Sequence, residues 1–225
     1  MTIHITKIGQ QTSPTSCGAF AFAALALATS KTHSERTTII HNPKPPTLEF
    51  ARFAFINRSF TVATATEYAL ELHNVTGNLY FNTTQSQYQY LKRYQPPDYN
   101  SPAALVAVAA ATPATHIELN IYQSLKTMAI YSTEIDSIKQ SRIGKTISYK
   151  EDSLVIHSVT PNRAFLLAVA PASASTPFPT HWLAFGDDNK YYDPAHNTDS
   201  NIWDTSAKNS DGKYQYAGIK IEVYS

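Results

Sequence analysis

The sequence predicts an α+β fold, with helices in the first half of the chain and an antiparallel sheet in the last third. Two observations lead to this prediction. Gly18–Thr29 is rich in Ala, Leu and Phe and is apolar on every face, which is typical of a buried helix. From residue 153 onward, short aromatic or β-branched segments alternate with turn residues, which favours strands.

Composition and charge indicate a folded protein with no preference for polyanions. The 225 residues are 43% hydrophobic and carry 18 Lys and Arg against 17 Asp and Glu. Disorder would need lower hydrophobicity and a higher net charge. A nucleic-acid-binding domain would show a basic stripe, so no nucleic-acid partner is predicted. Because no linker separates two parts of the chain, residues 1–225 are expected to form a single domain.

The first half of the chain is expected to hold further helices, bounded by Pro, Asn or Gly. The predicted segments are Leu48–Ile56, Ala65–Leu72, Gln87–Tyr94, Ala103–Ala111, His116–Ile130 and Glu134–Ile143. Residues 31–150 would then be a largely helical insert or a divergent helical part of the domain.

Strands are expected mainly after residue 150. The predicted segments are Ser153–Val159, Ala164–Ala170, His181–Phe185, Lys190–Asp193 and Tyr214–Tyr224. In Tyr214–Tyr224 apolar residues alternate with polar or aromatic ones, which predicts a strand with one buried face. His4 is assigned to an edge strand.

The single cysteine, Cys17, excludes a disulfide framework and a zinc site built on several thiolates. No metal or organic cofactor is predicted. The longest apolar run, residues 18–28, is shorter than the roughly 20 residues of a transmembrane helix. No Sec signal peptide is recognisable, so synthesis in the cytosol is expected, and export by a signal-peptide-independent system would leave no mark in the composition.

Cys17 stands where a thiol can become a nucleophile. It follows the loop Gln11-Thr-Ser-Pro-Thr-Ser and directly precedes the apolar helix. The unpaired N–H groups and partial positive charge of a helix N-terminus favour thiolate and could bind an oxyanion. Gln11, six residues upstream, could supply a second donor. The alternative is that Cys17 is a small buried hydrophobe.

A thiolate nucleophile needs a base, and the base needs an orienting group. His181 opens an apolar strand directly after a Pro-rich loop, and Asp193 ends the next strand. The other seven histidines are better explained as solvated or packed side chains. They are His4, His33, His41, His73, His116, His157 and His196.

The hairpin between these strands decides whether the two side chains can meet. Side chains alternate along a strand, so a two-residue loop would place His181 and Asp193 on opposite faces. A three-residue loop, Asp187–Asn189, places Asp193 diagonally beside His181. Asn189 tolerates the left-handed conformation that such a loop requires. We therefore predict the three-residue loop.

These motifs together resemble those of the papain-like cysteine peptidases, and the likeness is greatest to the bacteriocin-processing, C39-like branch. The matching residues lie within 8–30 and 160–196: Gln11-x5-Cys17-Gly18, the His181 strand and Tyr192-Asp193-Pro194. The resemblance implies Cys17 as nucleophile, His181 as base and acid, Asp193 as orienter and Gln11 as oxyanion donor. It also implies that the Cys17 helix packs on the C-terminal antiparallel sheet. The Gln11–Gly18 segment is similar to the start of phytochelatin synthases as well.

The resemblance implies a cysteine peptidase that cleaves an amide bond in a peptide or protein. Transpeptidation, or deamidation of glutamine on a target protein, would use the same triad. A papain-like binding module without catalysis is the third possibility. A stand-alone chain of this kind would suit a secreted effector or toxin, with an inhibitor or immunity protein as a partner.

Overall fold

A computed structural model describes residues 2–29, 62–85, 87–91, 96–111, 116–122, 129–140, 146–152, 161–175, 179–203, 209 and 211–224. The helices within these residues are α1 (Cys17–Thr29), α2 (Ala65–Thr76, entered through a 3₁₀ turn at Val62–Thr64), α3 (Pro102–Ala111) and α4 (Ala129–Gln140). The strands are β1 (Leu79–Asn82), β2 (Gln87–Tyr90), β3 (His116–Tyr122), β4 (Thr146–Asp152), β5 (Arg163–Pro171), β6 (His181–Phe185), β7 (Lys190–Asp193), β8 (Thr198–Ile202) and β9 (Tyr214–Tyr224).

One large sheet dominates the structure, and its strand order is β4-β3-β9-β5-β6-β7-β8. From β3 to β8 in this order each strand pairs antiparallel with the next, and β4 pairs in parallel with β3 at one edge. β1 and β2 form a separate hairpin. The α+β prediction is confirmed, with four described helices and a mainly antiparallel sheet.

Helix α1 lies in the centre of the larger core. Every residue from Cys17 to Ala26 is buried, and the helix packs against α2, β5 and β6. Its alanines allow close approach on several faces at once, so the prediction of a helix apolar all round is confirmed. Within the described residues, no helix has the length and apolarity needed to cross a bilayer.

The other face of the sheet is also covered. A second core contains Phe165, Leu167, Val169, Leu183, Phe185, Tyr191, Trp203 and Tyr216. The rings of Phe165 and Phe185 stack there, with centroids 4.6 Å apart. The prediction that β9 has only one buried face is therefore wrong. Lys220, on the face expected to be exposed, is 6% exposed, and its Nζ pairs with Glu222 at 2.8 Å.

Three predictions of local structure are corrected. Gln87–Tyr90 is strand β2, because it pairs antiparallel with β1, and it packs Tyr88 and Tyr90 against the core. His116–Tyr122 is strand β3, between β4 and β9. A spacing of four, as in Ile117 and Ile121, places residues on one face of a helix and also on one face of a strand. No regular strand forms around His4.

Other predicted segments fare differently. Ala65–Leu72, Ala103–Ala111 and Ala164–Ala170 lie inside α2, α3 and β5, and the strands at His181, Lys190 and Tyr214 have the predicted bounds. Helix α4 begins at Ala129, earlier than predicted, and β1, β4 and β8 were missed. Leu48–Ile56 and Ser153–Val159 lie outside the described residues. The single-domain assignment with an insert at 31–150 stays a prediction, although that segment contains β1–β4 as well as helices.

Candidate active site

Cys17 is the first residue of α1, and its side chain is 1% exposed. The carbonyl of Ser16 accepts hydrogen bonds from the N–H groups of Ala19 and Phe20, and Asn100 Oδ1 also accepts one from Ala19. Among the described residues, the N–H groups of Cys17 and Gly18 have no acceptor. These two donors at the helix N-terminus are therefore available to an oxygen that develops negative charge beside the sulfur.

The β6–β7 hairpin has the predicted register. Ala184 pairs with Tyr192 and Phe185 pairs with Tyr191, which leaves Asp187–Asn189 as a three-residue loop. Asn189 has φ 64°, in the left-handed region. The register is confirmed, and it places His181 and Asp193 on the same side of the sheet.

His181 lies between Cys17 and Asp193. Its Nε2 is 2.8 Å from Asp193 Oδ1, and the Cys17 side chain is close enough to the imidazole to raise its pKa. Because Nε2 is engaged by the carboxylate, Nδ1 is the nitrogen left for the sulfur. Three residues that are far apart in the sequence are thus neighbours in the folded protein.

The charges in this chain stabilise each other. Burial by itself disfavours a protonated imidazole, but the electrostatic interaction with Cys17 and the hydrogen bond with Asp193 outweigh it and raise the pKa of His181 to about 9. Burial would likewise raise the pKa of Asp193, but the hydrogen bond and charge of His181 hold it well below its usual range. At neutral pH, His181 is therefore a cation and Asp193 an anion.

Asp193 also accepts hydrogen bonds from groups that the sequence did not identify. Ala195 N donates to Oδ1 at 2.9 Å, and Tyr214 OH donates to Oδ2 at 2.9 Å. His196 Nδ1 lies 2.8 Å from Oδ2, although half of its side chain is exposed. Tyr214 also stacks on His181, with ring centroids 5.4 Å apart. His196 lies three residues after Asp193, and this short spacing could have indicated it as a partner of the carboxylate. No local pattern in the sequence indicates Tyr214 as a partner.

Gln11 is near the site, but its amide is engaged elsewhere. Its Nε2 donates to Ser13 O at 2.9 Å, and its backbone N–H donates to Pro194 O at 2.9 Å. Its buried Oε1 has no hydrogen-bond partner among the described residues. One proton on Nε2 remains for an oxyanion, so this role of Gln11 stays a prediction.

The N-terminal segment explains how residues so far apart in sequence converge. Ile3 N donates to Asp187 Oδ1 at 2.6 Å, in the β6–β7 loop. Gln10 Nε2 donates to Ala195 O at 2.8 Å, and Tyr192 OH donates to Gly9 O. The chain leading to Cys17 is therefore tied along the hairpin that carries His181 and Asp193.

Across the described part of the chain, no group of three or more His, Cys, Asp or Glu side chains is placed to hold a metal ion. No protein-family model, curated protein or solved structure matches the chain. Its chemistry therefore has to be inferred from these residues and their geometry.

Proposed function

We propose that the protein is a cysteine peptidase with a papain-like fold, which cleaves an amide bond in a peptide or protein substrate. The observation that carries this proposal is the buried imidazole of His181, in contact with both Cys17 and Asp193. The fold assignment is supported by helix α1, which carries the thiol at its first residue and packs on the antiparallel strand that carries His181.

In the first step, the sulfur of Cys17 attacks the carbonyl carbon of the substrate as a thiolate, while the proton resides on His181. A carbon–sulfur bond forms, and the carbonyl oxygen becomes an oxyanion. The N–H groups of Cys17 and Gly18 stabilise that oxygen, with the amide of Gln11 as a further donor. Such donors act in the transition state, where charge develops, and not in the ground state.

In the second step, the carbon–nitrogen bond breaks and His181 gives its proton to the leaving amine. The product is an acyl-enzyme in which the substrate is a thioester on Cys17. Neutral His181 then removes a proton from water, which attacks the thioester. Cys17 leaves as a thiolate, and the second product is a carboxylic acid.

Asp193 acts through His181. Its carboxylate accepts a hydrogen bond from Nε2, which keeps Nδ1 directed at the sulfur and stabilises the imidazolium. The donors on its other side, Ala195 N and Tyr214 OH, restrain the carboxylate itself. The acid–base group therefore has little freedom to turn away from Cys17.

The proposal is tested by the rate of Cys17 alkylation with iodoacetamide as a function of pH, in wild type and His181→Ala. The wild-type rate should reach its plateau at a lower pH than that of the variant, because only the wild type has the imidazolium partner. Identical curves would overturn the ion pair. Cys17→Ala should lose all amide hydrolysis and keep its circular-dichroism spectrum, and unchanged turnover would exclude Cys17 as nucleophile.

A further inference from the structure

The thiol of Cys17 is closed off from solvent. Its side chain is 1% exposed, and the cavity beside it has a volume of about 10 Å³. That is about the room of one water molecule and too little for an acyl group. A substrate can reach the sulfur only if a neighbouring side chain moves.

Tyr88, in strand β2 of the hairpin, lines this cavity. Its hydroxyl donates a hydrogen bond of 2.6 Å to the carbonyl of Pro179, in the segment that leads into His181. Burial raises the pKa of Tyr88 far above its ordinary value, so the hydroxyl stays protonated and donates. This hydrogen bond joins the β1–β2 hairpin to the segment that precedes β6, and both of its residues line the cavity of Cys17.

A larger cavity of about 220 Å³ is also lined by Tyr88. Phe81 and Tyr99 form its aromatic wall together with Tyr88, whose ring meets theirs edge to face at centroid distances of 5.2 and 5.3 Å. The other described residues that line it are Ala170, Pro171, Ala174 and Thr180. None of these residues is charged, so the cavity suits an apolar side chain.

The two cavities are adjacent, because they share three lining residues. Tyr88, Tyr99 and Thr180 line both the small cavity at Cys17 and the larger one. Thr180 directly precedes His181 in the chain. A group held in the larger cavity therefore shares Tyr88, Tyr99 and Thr180 as neighbours with the small cavity at Cys17.

We propose that the larger cavity binds a large apolar side chain of the peptide substrate, and that Tyr88 must release Pro179 before the neighbouring carbonyl can reach Cys17. This inference rests on the proposed function and specifies its substrate class. The apolar side chain supplies the binding energy that compensates for the lost hydrogen bond. Peptides without such a side chain leave the site closed, so Tyr88 couples substrate recognition to access.

The first test is the alkylation rate of Cys17 with iodoacetamide at pH 9, where the reaction needs access more than activation by His181. Tyr88→Phe keeps the ring and removes the hydrogen bond, so the closed state should weaken and the rate should rise roughly 2- to 10-fold. Tyr99→Phe is the matched control, because Tyr99 lines the same cavities, and its rate should be unchanged. Equal rates in wild type and Tyr88→Phe, or equal increases in both variants, would overturn the inference.

The second test compares two alkylating peptides, a Phe-Phe chloromethyl ketone and its Gly-Gly counterpart. The wild type should react about tenfold faster, or more, with the Phe-Phe reagent. Ala174→Phe fills the cavity and should abolish this preference. Ala172→Phe, on the same loop but outside the lining, should retain it. Equal rates with both reagents, or a preference that survives Ala174→Phe, would overturn the inference.

The tests distinguish a failure of the Tyr88 gate, meaning the closure of the site by the Tyr88–Pro179 hydrogen bond, from a failure of the proposed function. If the pH curves of wild type and His181→Ala coincide, the catalytic assignment fails, whatever the rate of Tyr88→Phe. If those curves differ but Tyr88→Phe reacts as the wild type does, the ion pair stands and the gate is wrong.

Discussion

Asp193 and Glu134 are two carboxylates buried to the same degree, each 1% exposed, but their surroundings shift their pKa values in opposite directions. Glu134, in α4, accepts hydrogen bonds from Tyr90 OH, from Ser101 Oγ and from Ala103 N, the last two at 2.6 Å. All of these donors are neutral. Burial therefore dominates and raises the pKa of Glu134, although the hydrogen bonds oppose it.

The difference shows that hydrogen bonds alone do not keep a buried carboxylate charged. Asp193 has four hydrogen-bond partners against the three of Glu134, and one of the four is the imidazolium of His181, whose hydrogen bond and charge lower the pKa of Asp193. Glu134 holds the start of α3 against α4 and the β1–β2 hairpin, which is a structural task. Asp193, in contrast, helps to keep the imidazole of His181 protonated beside the thiol of Cys17.

The largest expected effect is on catalysis and separates the two carboxylates directly. Asp193→Ala should lower the rate of amide hydrolysis by roughly two to four orders of magnitude, because His181 loses its orienting partner. Glu134→Ala, assayed at a temperature where it is folded, should retain turnover within a fewfold of wild type. Comparable losses in both variants would mean that Asp193 is structural as well.

The next effect concerns the charge on His181. Titration of its ring signals by NMR should give a pKa of about 9 in the wild type. In Cys17→Ala the value should fall towards the ordinary 6.5, because the negative charge of the sulfur is lost and burial remains. A value unaffected by the substitution would mean that the sulfur carries no charge near His181.

Glu134→Ala should show its effect in stability. Removing the side chain leaves the donors of Ser101, Ala103 and Tyr90 without their acceptor, which should cost about 2 kcal/mol or more of unfolding free energy in urea titrations. Glu134→Gln keeps an acceptor for Ser101 and Ala103 and should cost less. An alanine variant as stable as the wild type would show that water replaces the carboxylate.

The two carboxylates should also respond to pH with opposite signs. The stabilisation by Asp193, whose pKa is lowered on folding, is present above pH 4 and is lost as the pH falls through its folded value. The stabilisation linked to Glu134, whose pKa is raised, is present below about pH 4 and is lost as the pH rises. Urea titrations of wild type, Asp193→Asn and Glu134→Gln at several acidic pH values would give the unfolding free energy as a function of pH. If both substitutions changed this pH dependence in the same direction, the opposite pKa shifts of the two carboxylates would be contradicted.

The smallest expected effect belongs to Tyr214. Tyr214→Phe removes the hydrogen bond to Asp193 but keeps the ring stacked on His181, so turnover should fall only about 2- to 10-fold. Tyr214→Leu removes both interactions, so its turnover should be lower than that of Tyr214→Phe. The pH dependence of alkylation should shift in both variants if Tyr214 acts through Asp193, whereas a purely structural residue would leave it unchanged.

The sequence predicted those parts of the site that depend on local chemistry. An apolar segment after a polar loop predicted α1 and the position of Cys17 at its first turn. The residues Asp187–Asn189 predicted a three-residue hairpin loop, and the alternation of side chains along strands then brought His181 and Asp193 to one face. Turn conformation and strand alternation are properties of a few consecutive residues, so they can be read without knowing the rest of the fold.

The same reasoning failed where two periodicities coincide. Ile117 and Ile121 fit a helix face and a strand face equally well, and only the pairing of His116–Tyr122 with β9 and β4 decides between them. Gln87–Tyr90 forms a strand because β1 offers it hydrogen-bonding partners. Strand pairing is non-local, so neither segment carried a signal of it in its own residues.

The sequence by itself therefore determined the α+β class, the buried helix that begins at Cys17 and the hairpin that aligns His181 with Asp193. The tertiary structure alone decided that Tyr214 donates to Asp193 across 21 residues and that Tyr88 donates to Pro179 beside the cavity of Cys17. It also decided that the pKa of Glu134 is raised while that of Asp193 is lowered. The physical reason is the range of the interactions. Turns and periodicity act between neighbours in the chain, whereas burial and charge depend on which distant residues the fold brings together.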